Sequence, residues 1–438
     1  MSRATLAFLC FSLTVVLALP ASAQEGDVAA LQTAARAAPR DAAAQAALAR
    51  ALLRAGRYRE ADSAFRRAAG LSRNSLDALY DAARVPIEQG DYRRAQAACA
   101  RLARASKVAV QTRVCNARAF LVWNRSSRAF EELEAARAAA PNDFEMLLAL
   151  GDAHRLRADV ANAEQAYRAA ASAAPTRAEP YVGLGRLYAA ANRRDDAIRV
   201  LRDALSRDAA SPEVHYELGS LLGGSQEGRD LLARAVTGRA NWPEAQVATG
   251  NALLAAGDGP GAERAFREAI RMNARLAEAH AGLGRAKLAQ GDMPAAEASL
   301  RHALELVANS APTVQALADV LARTDRIEDA FEQYRHAADL DPANPSALLS
   351  AARLAVEKQR EVLAAGFLDR LLEAHPNLAP ALAVYGDIMV GRRDSAAARD
   401  YYQRALAGTG ELDRPRVEAA LRALGGGSQR QGGRPHRR

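Results

Sequence analysis

The feature that most constrains this chain is self-similarity at a single period. Gly151, Gly185, Gly219, Gly250, Gly284 and Gly386 align, and about twelve positions later comes a small residue and then a hydrophobic one. Ala163 precedes Tyr167, Ala197 precedes Leu201, Ala262 precedes Phe266, Ala296 precedes Leu300, and Ala398 precedes Tyr402. Three residues further on stand Ala170, Ala204, Ala269, Ala303 and Ala405, and a proline often closes the unit, as at Pro141, Pro175, Pro342 and Pro376. In this frame repeats begin at residues 42, 76, 110, 144, 178, 212, 243, 277, 311, 345 and 379, each 34 residues apart except for one interval of 31. The short interval starts at residue 212, where Gly223-Gly224-Ser225 replaces the usual end of a first helix and its turn. A chain of 438 residues is too long for one compact core, and a fixed period of this size points to stacked supersecondary units.

The spacing has a physical reading. Two antiparallel helices approach closely only where side chains are tiny, so glycine or alanine at the eighth, twentieth and twenty-seventh positions lets the backbones touch. The large residue at the twenty-fourth, such as Phe65, Tyr167, Phe266 or Tyr334, fills the remaining wedge. Helices of about a dozen residues are marginal in isolation, so stability must come from stacking. Composition agrees: 50% of residues are hydrophobic but only 5% aromatic, and the alanine that makes up much of the difference favours helix.

This pattern resembles the tetratricopeptide repeat, a 34-residue unit with a small residue at position eight, alanine at twenty, an aromatic or large apolar residue at twenty-four, alanine at twenty-seven and proline at thirty-two. The resemblance covers residues 42 to 412 and implies an all-α chain, an α-solenoid of about eleven helix-turn-helix repeats in a superhelix. Departures are local: the family's aromatic at position four survives only as Tyr181, and Ala49 and Ala318 replace glycine at position eight. The predicted organisation is a signal peptide over 1–23, an N-terminal capping helix within 24–41 and a first array over 42–222. An irregular turn or hinge follows over 223–228, then a second array over 229–412, a capping helix over 413–424 and a disordered basic tail over 425–438.

Arg3, the apolar stretch Leu6 to Leu19, Pro20 and the small-x-small site Ala21-Ser22-Ala23 predict a cleaved leader with Gln24 as the mature terminus. A periplasmic or secreted protein is therefore expected. No later segment offers eighteen uncharged apolar residues, so no transmembrane span is expected after cleavage. The formal charge of +8 is concentrated at the ends, in Arg3 and in Arg430, Arg434, Arg437 and Arg438, leaving +3 on the body. That balance does not call for a nucleic-acid partner.

No signature of a zinc protease, redox dithiol, phosphate-binding loop or serine hydrolase is present, and the chain reads as non-enzymatic with no cofactor or metal. Gly257-x-Gly259-x-Gly261 falls at a turn between two helices, with no preceding strand. The histidines are scattered through the frame; equivalent positions of adjacent repeats lie roughly 10 Å apart, too far to share a metal ligated at about 2 Å. Cys99 and Cys115 lie on a second helix and on the next first helix, leaving open a disulfide or two buried free thiols.

The resemblance also implies where a partner binds, because positions two, five, nine, twelve and thirteen of first helices line the inner surface in this family. Position nine carries Arg50, Arg84, Arg118, Arg186, Arg285 and Arg353, a ladder whose guanidinium forks suit carboxylates of an extended or acidic protein segment. Position two counters with Asp77, Glu145, Glu179, Glu213, Glu244 and Glu278, so mutually offset, solvated helix faces are the other reading. Tyr80 and Tyr216 at position five, and Trp242 just before the seventh repeat, are candidate anchors. The family's clamp for chaperone tails needs lysine and asparagine at particular places, and none of Lys107, Lys287 and Lys358 fits. The reading is an exported scaffold for protein–protein interaction in the cell envelope. The alternatives are a glycan- or polyanion-binding envelope module, or a non-catalytic subunit of an envelope enzyme complex.

Overall fold

A computed structural model describes residues 28–426. The predicted leader and residues 427–438 of the predicted tail lie outside the described residues. The chain folds as 24 helices with no strand among the described residues, and divides into two compact units, Met1–Ala252 and Leu253–Arg438. Eleven repeats of two helices run from Ala42–Arg54 and Tyr58–Leu71 to Ala379–Gly391 and Ser395–Ala407, with Val28–Ala37 before them and Arg414–Gly426 after.

The small positions do the packing work that the sequence assigns to them. A Cβ on Gly151 would lie 2.5 Å from the Tyr167 ring, and one on Gly183 of the next repeat would lie 2.4 Å from it. The ring is thus held between two first helices with room for hydrogen only. In the second unit a Cβ on Gly282 would meet Phe266 at 2.2 Å, and one on Gly386 would meet Tyr402 at 2.5 Å. Phe65, Tyr167, Phe266 and Tyr402 are all fully buried.

The turn inside each repeat is equally regular. Position fifteen has a left-handed backbone in ten repeats: Gly56, Gly90, Gly257 and Gly291 sit there with φ between 68° and 81°, and Asn124, Ala158, Asn192, Asp325, Gln359 and Arg393 with φ between 55° and 59°. The next residue is often aspartate, and Asp91, Asp159, Asp258, Asp292 and Asp394 each accept a hydrogen bond from the backbone N–H three residues on. The cap satisfies a donor that the helix leaves orphaned. Gly257-x-Gly259-x-Gly261 is such a turn, with Asp258 accepting from Gly261 N–H at 2.8 Å.

The sixth repeat departs from the rest within the first unit. Its first helix, Pro212–Leu222, has 11 residues, and Gly223 turns the chain with φ +57°. Ser225 accepts from Gly228 N–H at 3.0 Å, and a Cβ on Gly228 would lie 2.5 Å from the Gly223 carbonyl oxygen. The missing residues are absorbed by backbone-to-backbone approach.

Cys99 and Cys115 are joined, with their Cα atoms 5.6 Å apart, and both are buried. The bond ties the helix Tyr92–Ala105 to Val110–Val122. Cys99 holds position twenty-four of its repeat and Cys115 position six of the next, the slot that Tyr167 and Gly183 fill elsewhere.

Candidate functional site

First helices of the first unit turn their ninth positions toward one another's acidic residues. Arg50 donates to Asp81 at 2.7 Å, Arg118 to Glu145 at 2.7 Å and Arg186 to Glu217 at 2.5 Å, each carboxylate lying on a later first helix. Arg84 faces Glu88 of its own helix at 3.7 Å. Glu145 is the hub: it also accepts from the Tyr80 hydroxyl at 3.1 Å and lies 3.9 Å from Arg177, which binds Glu179 at 2.6 Å.

These groups border a cavity of about 520 Å³ lined by residues of the first, second, fourth, fifth and sixth repeats and by Val28 of the helix before them. Its wall carries Arg50, Arg54, Arg84, Arg177 and Arg207 against Asp77, Asp81, Glu145, Glu179 and Asp208, with Tyr80 between them. Five cations thus meet five carboxylates. Of the arginines expected to form a ladder at position nine, Arg50, Arg84, Arg118 and Arg186 each face a carboxylate of the chain itself in this unit.

Electrostatics follow from this crowding. Burial alone would raise the Glu145 pKa, but Arg118, Arg84, Arg177 and the Tyr80 hydroxyl outweigh it and hold the carboxyl below its ordinary value of 4.5. Glu179 behaves alike through Arg177. Glu88 goes the other way, since burial raises it and Arg84 offsets that only in part. For Arg84 burial pulls downward, and Glu88 and Glu145 reverse the sign. Burial also pushes the Tyr80 hydroxyl well above its ordinary value, so it stays protonated as a donor.

The sixth repeat reaches back to the first. Arg239 donates to the Tyr58 hydroxyl and to Glu213 at 3.4 Å, and its guanidinium stands 4.6 Å over the Trp242 ring. Arg54 lies 3.7 Å from Asp208. A Cβ on Gly56 would come within 3.0 Å of the Arg239 side chain, so glycine there serves both the left-handed turn and this seam. Tyr216 and Trp242 pack on each other with ring centroids 4.6 Å apart, and Trp242 is buried.

Arg285 and Arg353 belong to the second unit. Burial lowers the Arg285 pKa, and Arg353 lines a cavity of about 350 Å³ together with Asp387 and Arg416. Asp387 accepts from Arg416 at 2.9 Å and from the Tyr402 hydroxyl at 2.7 Å. Asp387 stands at position nine, as do Asp152 and Asp319, three repeats in which the row of arginines is interrupted. The signal that would have found them is a tyrosine at position twenty-four of the same repeat. Among the described residues no three histidine, cysteine or acidic side chains gather as a metal site. His280 and His302 approach with ring centroids 4.5 Å apart, but His280 Nε2 faces the Ala274 carbonyl and His302 Nδ1 faces Glu305. No described helix is long and apolar enough to cross a membrane.

Two family models described as tetratricopeptide repeat match the chain, one over residues 52–108 and 155–221, the other over 116–178, 247–311 and 316–379. Solved structures similar to it include the human IFIT1 dimer with m7Gppp-AAAA, at TM-score 0.53 and 14% identity, covering 75% of this chain and 83% of that one. Yeast Tom70 aligns at TM-score 0.49 and 11% identity over 89% of this chain and 97% of its own. MamA protein aligns at TM-score 0.33 and 26% identity over 37% of this chain and 91% of its own. No curated protein matches the chain.

Proposed function

Because the chain belongs to the tetratricopeptide repeat family, we propose that it is a non-catalytic scaffold of the cell envelope, exported by its N-terminal leader, that holds an extended segment of a partner protein against the inner face of its first unit. Protein–protein interaction is what the repeats themselves support. The observation that favours the inner face is the Glu145 hub, where Tyr80, Arg118 and Arg177 converge beside a cavity of about 520 Å³. That wall offers donors and acceptors already fixed by their neighbours, so little side-chain entropy remains to be lost on binding. Its equal numbers of cations and carboxylates favour a segment carrying both kinds of hydrogen-bonding group over a polyanion. The leader, with Arg3 ahead of Leu6 to Leu19 and Ala21-Ser22-Ala23, is what supports the envelope location.

Affinity capture from envelope extracts tests the reading. Arg84→Ala with Arg118→Ala should reduce recovery of the captured protein at least fivefold, with thermal melting showing that the variant stays folded. Arg50→Ala, at a side chain 45% exposed, gives a milder variant for the same wall. Undiminished capture by both variants, each shown to be folded, would remove the inner face from the account.

A further inference from the structure

The outer surface of the first two repeats carries a charge pattern that the inner face does not use. Position eighteen holds Arg59 and Arg93, position twenty-six Arg67 and Arg101, and position thirty-two Arg73 and Lys107. All six are exposed, and none has an ion pair or side-chain hydrogen bond within the described residues. They lie on, or just beyond, the helices Tyr58–Leu71 and Tyr92–Ala105. Because the register is the same in both repeats, the six form two parallel columns one repeat apart.

Few carboxylates offset them. The helix Tyr92–Ala105 contains none. On Tyr58–Leu71, Glu60 is taken by Arg57 at 2.6 Å, and Asp62 is shared between Arg66 and Arg94. The following second helix, Ser126–Ala139, brings acids back with Glu131, Glu132 and Glu134, so the cationic surface is confined to two repeats. Self-repulsion makes such a surface unfavourable unless counter-charge is supplied.

At one edge of the columns the surface is also apolar. Val108 is 70% exposed in the turn after Lys107, and Leu71 is 39% exposed at the end of its helix beside Arg73. Cations set around exposed aliphatic side chains are the composition of a surface that meets lipid headgroups, with the apolar tips entering the acyl boundary.

We propose that this face docks on an anionic lipid membrane. Arg59, Arg67, Arg93 and Arg101 supply the attraction, and Arg73 and Lys107 flank the contact at which Val108 and Leu71 enter. The surface lies on second helices, whereas the partner-binding reading concerns first helices, so either stands without the other.

Co-sedimentation with vesicles tests it, using the chain from Gln24 onward, which keeps every described residue. Vesicles containing phosphatidylglycerol should bind the protein and pure phosphatidylcholine vesicles should not. Binding should fall with added salt as the Debye length shortens from about 10 Å at 0.1 M to about 3 Å at 1 M. Changing Arg59, Arg67, Arg93 and Arg101 to glutamine should weaken binding at least tenfold with the helical circular dichroism retained. Val108→Ser should weaken it about threefold without changing the charge. Changing Arg264 and Arg275, exposed arginines of the second unit, should leave it as it was; the tail arginines are the same in every variant. Failure of the unaltered protein to bind, wild-type binding by the glutamine variant, or an equal loss with the Arg264 and Arg275 variant would each overturn the proposal. So would binding of soluble heparin as tight as that of vesicles and indifferent to Val108→Ser, which would make the face a site for a soluble polyanion.

Discussion

Tyr167 donates its hydroxyl proton to Asp152 at 2.7 Å, and in the frame of the repeat this is position twenty-four bonding to position nine. Tyr334 does the same to Asp319 at 2.6 Å, and Tyr402 to Asp387 at 2.7 Å. Of the eight repeats with no hydroxyl at position twenty-four, six carry arginine at position nine, where Phe65, Cys99, Leu133, Leu201, Leu300 and Leu368 go with Arg50, Arg84, Arg118, Arg186, Arg285 and Arg353. The other two are neutral there, with Ser220 in the sixth repeat and Asn251 in the seventh, whose wedge residue is Phe266. A tyrosine wedge therefore goes with an aspartate at position nine of its own repeat. A phenol at that depth needs an acceptor, and aspartate at position nine provides it.

That relation predicts a coupled pair. Tyr167→Phe should cost about 1 kcal/mol, because Asp152 keeps access to water. Asp152→Ala should cost more, about 1–3 kcal/mol, because a buried hydroxyl loses its acceptor. The two together should cost less than their sum, read from urea unfolding midpoints. Strict additivity would mean that the bond contributes nothing.

The disulfide should act as a staple across one inter-repeat wedge. Closing the loop between Cys99 and Cys115, 16 residues apart in sequence, removes unfolded-state freedom equivalent to about 3 kcal/mol. Cys99→Ser with Cys115→Ser should lower the unfolding midpoint accordingly. Cys99→Phe with Cys115→Gly, which copies the Phe266–Gly282 slot, should retain more stability than the double serine variant. Equal midpoints for both variants would show that wedge volume is irrelevant there.

His215 should make the fold acid-sensitive. It is buried at position four, and burial, followed by the Arg234 charge, pushes its pKa below the ordinary 6.5. The folded form thus binds a proton less readily than the unfolded chain. Stability is full above pH 6.5 and is lost as pH falls below it. Glu145, also lowered, adds to the loss once pH falls below 4.5. His215→Phe should flatten the dependence of melting temperature on pH between 6.5 and 4.5, and an unchanged slope would show that His215 does not set it.

The helical frame was legible because its determinants are local and repeated. Glycine opposite a large side chain, as at Gly151 and Tyr167, can be met by one geometry only. The inner face was legible in part. The arginines of position nine were found by counting one residue type, but Asp152, Asp319 and Asp387 break that row and belong to a rule linking two positions. The approach of Arg239 to Tyr58 spans 181 residues. It accumulates from small rotations at each repeat, and no local pattern reports such a sum. Trp242 reads as an anchor at a repeat border, yet Tyr216 and Arg239 pack against its ring.

The most direct test of the account places a photo-activated cross-linking side chain at Asp77, on the wall of the inner cavity, or at Ala100, exposed on the outer helix Tyr92–Ala105. Illumination in intact cells should yield a protein adduct from position 77 and none from position 100. An adduct from position 100 alone, or equal adducts from both, would contradict the claim that the inner face of the first unit holds the partner.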